Sequence, residues 1–355
     1  MTGPDPRAVE VIAPNLSTRL SGVTATVARL VPIQARAIAI AAMGPNLPPD
    51  VPRLSYGQVA ALSRSGPSGA RVWHARRNDE MVAGLALRAR GVRLRLVFTS
   101  ASQRHHTRFT KALIARMDAV VATSARTAAY LDRPARVIPH GIDADRFAPA
   151  ADRAGLRARL GLPRDAMLVG CYGRIRERKG TRAFVEAMLP LLPDRPDLHA
   201  VVMGRAVGDD ARFLKGLRAA VAAAGLGDRV SFRDEVPVWE MPDWYRALDL
   251  HVAPQLWEGF GLTPLEAMAC GVPVVATRVG AFEEIVEPGR TGDLVAPGDV
   301  AALTGAVGRL LDDRAGRRAM GAAARAAVEA RFRIEDEAGA LVALYRELLA
   351  TGSKP

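Results

Sequence analysis

The stretch Leu256 to Thr277, LWEGFGLTPLEAMACGVPVVAT, narrows the possible folds more than any other, since two carboxylates, a glycine turn, a helix start and a buried strand share 22 residues. Gly259 and Gly261 permit a tight turn with close approach of backbone to a ligand. Thr263-Pro264 reads as an N-cap followed by proline at the first helical position, so a helix is expected from Pro264. The free N–H groups and positive dipole end of that helix suit a phosphate or diphosphate, bracketed by Glu258 and Glu266. Thr263-Pro264-Leu265-Glu266 equally spells a capping box in which Glu266 serves only the helix. Glu258, in a run with Trp257 and Phe260, has no such structural role on offer.

With 355 residues the chain exceeds one ordinary core and points to two domains. The first residues lack a basic segment leading into an apolar run, and no uninterrupted apolar stretch of about 18 residues occurs. A cytoplasmic protein is expected. Cys171 and Cys270 lack metal-type spacing and read as reduced, structural thiols. The net charge of +12 is unevenly placed: residues 1–165 carry 25 Lys and Arg against 11 Asp and Glu, the remainder 24 against 26. Arginine-rich surfaces bind phosphates and carboxylates whatever molecule carries them. Aromatic residues are scarce, at 5%, and no stacking platform is evident, which argues against nucleic acid as a partner. An acidic acceptor at a membrane surface explains the asymmetry as well as nucleic acid or better.

Along the chain, strands alternate with helices. Ala8 to Ala13 reads as a first strand, and the loop Pro14 to Ser21 leads through Gly22 into a helix from Val23 to about Leu30. Strand, loop, glycine, helix is the phosphate-binding arrangement of doubly wound sheets, although the full dinucleotide fingerprint is missing and Gly22 is equally a simple turn. Strands follow at Ala37–Ala42, Val72–His74, Leu94–Phe98, Asp118–Ala122 and Val137–Ile142. His74, Arg76 and Arg77 stand at one carboxyl edge, and Arg104, His105 and His106 follow another, where ligands of open parallel sheets bind. These six are the candidate acceptor contacts, though His74 also fits a core histidine. No carboxylate at ligand spacing follows the paired histidines, and Asp143-Ala144-Asp145 is set aside as a chance match, so no metal site is read.

Residues 152–165 read as a short connecting helix, and the alternation restarts with a strand at Met167–Tyr172. Gly173-Arg174 ends that strand and Lys179-Gly180 opens a helix to about Leu192, which puts two cations where a diphosphate would be neutralised. Further strands are expected at Ala200–Met203, Arg229–Phe232 and Asp249–Ala253. The loop Arg233 to Val238, with Val236 inside it, lies at the edge where backbone, Asp234 or Glu235 could read a nucleobase. Trp244, Tyr245 and Leu248, at helical spacing, read as core. In a final helix from Ile334 to Leu349, Ala338, Leu341, Tyr345 and Leu348 form the apolar stripe.

Glu258, seven residues, Glu266 and then Ala-Met-Ala-Cys-Gly-Val-Pro-Val-Val resemble the signature of family 4 retaining glycosyltransferases. The resemblance implies an α/β chain of two Rossmann-like domains facing a cleft, the GT-B architecture. Its parts would be an acceptor domain at 1–165, a nucleotide-sugar domain at 166–333 and a helix at 334–355 packing back on the first. Carried over, Arg174 and Lys179 hold the donor diphosphate, Glu258 contacts the transferred sugar, and Glu266 the ribose hydroxyls. The backbone at Phe260, Gly261, Leu262 and Thr263 joins them, with Val236 at the base and Gly22 at the phosphates. Ser21-Gly22-Val23-Thr24, Val72 to Asn78 and Phe98 to His106 are similar to lipopolysaccharide core mannosyltransferases, which use GDP-mannose and an acidic inner-core sugar on a lipid A anchor. Many members carry a histidine where this chain has Phe98; either His105 or His106 substitutes for it or the subgroup manages otherwise. No cofactor and no divalent metal are expected. Another nucleotide-sugar donor, a different acceptor, or a nucleotide-sugar epimerase on the same fold are the competing readings.

Overall fold

A computed structural model describes residues 3–18 and 22–351. The contacts divide the chain into two units: residues up to Gly141 together with those from Ile334 onward, and Ile142–Arg333. The division falls well before residue 165. The helix Arg153–Arg159 is tied to the second unit, because Leu156 is buried there and Arg157 donates to the Ala247 carbonyl and the Asp249 carboxylate at 2.9 and 2.7 Å.

In the first unit the strands are β1 (Val11–Pro14), β2 (Ile40–Met43), β3 (Arg53–Leu54), β4 (Arg71–Ala75), β5 (Leu94–Ser100), β6 (Ala119–Ala122) and β7 (Arg136–Val137). They form one sheet in the order β3-β2-β1-β4-β5-β6-β7, every pairing parallel. Strands such as β1 and β2, buried along their whole length, explain why they read as continuous apolar runs rather than alternating ones. β7 is shorter than Val137 to Ile142 suggests: Ile138 still donates to the Ala122 carbonyl, but Pro139 has no N–H with which to continue. Ile142 instead donates to the Phe332 carbonyl inside the second unit.

The helix Ile334–Ala350 belongs to the first unit and buries Ala338, Leu341, Tyr345 and Leu349 with Val11, Val27, Leu30 and Val72. Leu348 is only partly buried, and Leu349 takes the interior position expected of it. At its first turn Glu337 accepts from His140 Nδ1 and from the Gly141 N–H, both at 2.8 Å. Burial alone would raise the Glu337 carboxyl, but the charge and hydrogen bond of His140 and the Gly141 N–H hold it below its ordinary value. A depressed carboxylate stabilises above its unfolded pKa and loses that contribution as pH falls through the folded value. Glu337→Ala is therefore expected to destabilise the first unit by about 3 kcal/mol near neutral pH, with the deficit shrinking in acid. Urea unfolding of variant and wild type across that range is the check, and a deficit unchanged by pH would contradict the assigned charge.

The second unit holds β8 (Met167–Tyr172), β9 (Leu198–Met203), β10 (Val230–Arg233), β11 (Leu250–Ala253), β12 (Val274–Thr277) and β13 (Gly292–Val295). Their order is β10-β9-β8-β11-β12-β13, again all parallel, with the reversal of strand order between β8 and β11. β3 and β13 are additions to the strands read from sequence. Tyr172, Trp244, Tyr245, Leu248, Leu265 and Phe282 belong to one core on one side of this sheet, and Phe184, Val185, Leu217 and Leu303 to another. Among the described residues no helix is long and apolar enough to cross a membrane.

Candidate functional site

Open α/β sheets bind ligands outside the carboxyl ends of their strands where the strand order reverses. In the second unit that point lies between the ends of β8 and β11, and two loops meet there. After β8 the chain passes Gly173 and Arg174 into a 3-10 turn, Glu177–Lys179, then Gly180 and the helix Thr181–Met188. Gly180 has φ +74°, and a Cβ there would lie 1.8 Å from the Pro254 carbonyl oxygen just beyond β11. Only glycine lets the loops close to that distance. Leu256 N–H then donates to the Arg178 carbonyl at 3.1 Å, and the Arg178 guanidinium lies 5.1 Å over the Trp257 ring.

This closure brings Lys179 and Glu258, 79 residues apart, into an ion pair between Nζ and Oε2. Both side chains are partly buried. The second carboxylate oxygen of Glu258 accepts from the Gly259 N–H at 3.0 Å. Gly261, at φ +87°, would place a Cβ 2.3 Å from the Phe282 ring, so the turn after Glu258 is pressed onto that ring. Ala281 N–H donates to the Phe260 carbonyl at 3.2 Å and fixes the turn from its other side. Arg174 is exposed at the carboxyl end of β8. Arg176, two residues on, has a buried Nε with no hydrogen-bond partner among the described residues, and burial together with the charges of Arg178 and Arg174 lowers its pKa.

The helix after the turn begins one residue earlier than the sequence suggests. It spans Thr263–Ala269, its N-cap is Leu262, and no side chain caps it. Thr263 therefore does not cap; its Oγ1 is buried without a hydrogen-bond partner, as is the Gln255 Oε1. Glu266 accepts from the Tyr245 hydroxyl at 2.7 Å. Burial, with the Glu266 charge and hydrogen bond behind it, raises the Tyr245 pKa well above the ordinary phenol value, so the hydroxyl stays a donor. Tyr245 was legible only as core, since its ring is core and only its oxygen reaches the site. Val236 is half-buried beyond β10 and packs against the Tyr245 core, with Asp234 and Glu235 exposed.

The first unit redistributes the remaining candidates. His74 does not face an acceptor: it is fully buried, with Nδ1 2.5 Å from the Tyr345 hydroxyl and Nε2 2.6 Å from Thr99 Oγ1. Desolvation, with Arg76 adding to it, lowers its pKa well below the usual imidazole value. Arg76 and Arg77 are likewise internal. Arg76 is buried, donating its backbone N–H to Glu80 and its guanidinium to the His74 carbonyl. Arg77 pairs with the buried Glu80 at 2.8 Å and donates to Asn15 and Thr24 at 2.9 and 3.2 Å. A carboxylate three residues downstream was the signal for this internal pairing. Gly22 is the first residue of the helix Gly22–Gln34, with open space where a Cβ would sit; Ser21 lies outside the described residues. Arg104 and His105 are exposed, the latter 5.3 Å from the Tyr130 ring. His106 Nε2 is 3.4 Å from Ser100 Oγ, and its ring is 6.4 Å from that of the buried Phe98. Burial, then Arg104, lowers the His106 pKa, while Asp132 opposes and Lys111 reinforces the shift.

Two parallel sheets, each with helices on both faces and the second reversing its strand order between β8 and β11, give the chain the GT-B architecture. Residues 166–313 match the family described as "Glycosyl transferases group 1". The chain belongs to that family and is a glycosyltransferase. It is similar to the lipopolysaccharide core biosynthesis mannosyltransferase LpsB of Rhizobium meliloti (strain 1021), 52% identical over 97% of this chain and 99% of that protein. It is also similar to the lipopolysaccharide core biosynthesis mannosyltransferase LpcC of Rhizobium leguminosarum bv. viciae, 49% identical over 98% of each. Among solved structures it resembles a sucrose-phosphate synthase from Thermosynechococcus elongatus, with a TM-score of 0.79, 26% identity and coverage of 96% and 99%.

Proposed function

We propose that the protein transfers mannose from GDP-mannose to an acidic inner-core sugar of the Kdo-lipid A type in lipopolysaccharide core biosynthesis, with retention of configuration. The observation that carries the reading is the likeness, over nearly the whole chain, to two lipopolysaccharide core mannosyltransferases. The Lys179–Glu258 pair and the Tyr245-held Glu266 at the reversal point of the second sheet support the following roles. Arg174 and Lys179 hold the donor diphosphate, Glu258 the transferred sugar and Glu266 the ribose hydroxyls, with Val236 beside the base. The backbone of Phe260, Gly261, Leu262 and Thr263 lines the path between them.

In the reaction the bond between the anomeric carbon and the diphosphate oxygen breaks, and a bond to the acceptor oxygen forms on the same face. The acceptor's proton passes to the released diphosphate. Arg174 and Lys179 stabilise the charge that develops on that leaving group, and no divalent metal or other cofactor takes part. Arg104, His105 and His106 are the acceptor contacts that remain once His74, Arg76 and Arg77 are assigned to the interior. The basic surface serves an anionic glycolipid at the inner face of a membrane, with the enzyme peripheral to it.

The test is equilibrium binding of GDP-mannose, UDP-glucose and ADP-glucose to the full chain and to its Glu266→Ala variant. GDP-mannose should bind most tightly, and loss of a charged acceptor to two hydroxyls should weaken it by about 10- to 100-fold. Equal affinity for the three donors would refute the donor assignment, and an unchanged affinity in the variant would refute the role of Glu266.

A further inference from the structure

At the edge of the second sheet opposite the Lys179–Glu258 pair, the amino ends of β8, β9, β11 and β12 surround a cavity of about 540 Å3. Six arginines and three aspartates line it. Two of the arginines are accounted for: Arg153 and Arg157 both bind Asp249, at 2.8 and 2.7 Å, and Arg157 also donates to the Arg164 and Ala166 carbonyls. The other four, Arg164, Arg314, Arg317 and Arg318, form no ion pair among the described residues, although Asp165 and Asp197 share the cavity wall.

Arg317 is the informative one. It is 4% exposed, and its Nη1 donates to the Leu310 and Leu311 carbonyls. Its Nε and Nη2 have no acceptor among the described residues. Burial lowers its pKa, Asp249 offsets part of the effect, and the like charges of Arg314, Arg153 and Arg318 add to it. The unused Arg317 donors reach the solvent of the cavity, and the exposed Arg164, Arg314 and Arg318 beside them form no ion pair among the described residues, so the wall presents several guanidinium groups free to take an anion. The planar fork of arginine matches phosphoryl oxygens two at a time, and a concave cationic wall concentrates anions. The volume lies within the range of small-molecule sites.

We propose that this cavity is a second anion site, separate from the donor site, that binds a phosphate-bearing ligand with at least two phosphoryl groups or a phosphodiester headgroup through Arg164, Arg314, Arg317 and Arg318. Nothing in the transfer reaction requires it. A free polyphosphate and an anionic phospholipid headgroup present the same chemistry to these side chains, and the experiment separates them.

Inorganic pyrophosphate is titrated calorimetrically into the full wild-type chain, the Lys179→Ala variant and an Arg314→Ala/Arg318→Ala double variant; the two arginines are exposed, so their removal spares the core. Vesicles of phosphatidylcholine with and without phosphatidylglycerol are tested on the same three proteins by co-sedimentation. The expected result is a pyrophosphate site that survives Lys179→Ala and is weakened at least about tenfold in the double variant. Phosphatidylglycerol-dependent sedimentation lost in the double variant alone also supports the site and identifies the headgroup as its source. The proposal is overturned if Lys179→Ala abolishes all pyrophosphate binding and the double variant sediments like wild type, or if the double variant alters neither probe.

Discussion

Lys179→Ala is expected to lower the turnover of glycosyl transfer by about 100- to 1000-fold, the usual loss when one preorganised electrostatic contact to a developing anion is removed. The change acts twice. On the proposed donor assignment it removes an ammonium group from the diphosphate, and it strips the partly buried Glu258 of its ion-pair partner. Lys179→Arg keeps the charge but not the compact ammonium geometry, and should recover only part of the rate. Steady-state kinetics on a purified acceptor, together with the Glu258→Gln single variant and the double variant, isolates the coupling between the two residues. If Lys179→Ala retained activity within about threefold of wild type, the pair would be a structural tie between the two loops and not part of the chemistry.

The second large effect is on stability in acid. His251, on β11, is fully buried among Tyr172 and Tyr245, and neither ring nitrogen makes a well-formed hydrogen bond among the described residues. Burial lowers its pKa to about 3, outweighing the opposing effect of the Gly170 backbone. For a base whose folded pKa lies below its unfolded one, the unfolded chain takes up a proton first. Stability conferred by the neutral ring is therefore complete above about pH 6.5 and is lost as pH falls from there toward 3. Each unit in that window costs about 1.4 kcal/mol. The second unit should lose about 2 kcal/mol from this residue alone between about pH 6.5 and about pH 5. His251→Phe keeps a ring against the two tyrosines and should flatten that dependence whatever it does to stability at neutral pH. A variant as acid-sensitive as wild type in urea unfolding would show that His251 is not the group responsible. His74, buried in the first unit, acts with the same sign there.

Much of the architecture was legible because both sheets are parallel and covered on both faces. Their strands stand out as short apolar runs, and the candidate donor-site residues follow immediately after them. Gly173-Arg174, Lys179-Gly180 and the turn from Glu258 to Glu266 could be located from the order of residue types alone. Pairing was harder to read. Arg76 and Arg77 look like anion ligands in one dimension, yet Glu80 and Asn15 satisfy Arg77 internally, and His74 is consumed by Thr99 and by Tyr345, 271 residues away.

The sequence by itself determined the class of fold, the family and the short stretch where two glutamates flank a glycine turn, because each depends on local spacing and on which residues neighbour a strand end. Tertiary structure alone decided which charges meet. Lys179 reaches Glu258 only because Gly180 lets two strand ends close, and Glu266 is held by a tyrosine whose ring belongs to the core. The four arginines at the far edge of the second sheet that form no ion pair among the described residues are scattered over more than 150 residues and share one cavity only after folding. Electrostatic partnership depends on distance through space and on exclusion of water, and neither is written in the order of residues along the chain.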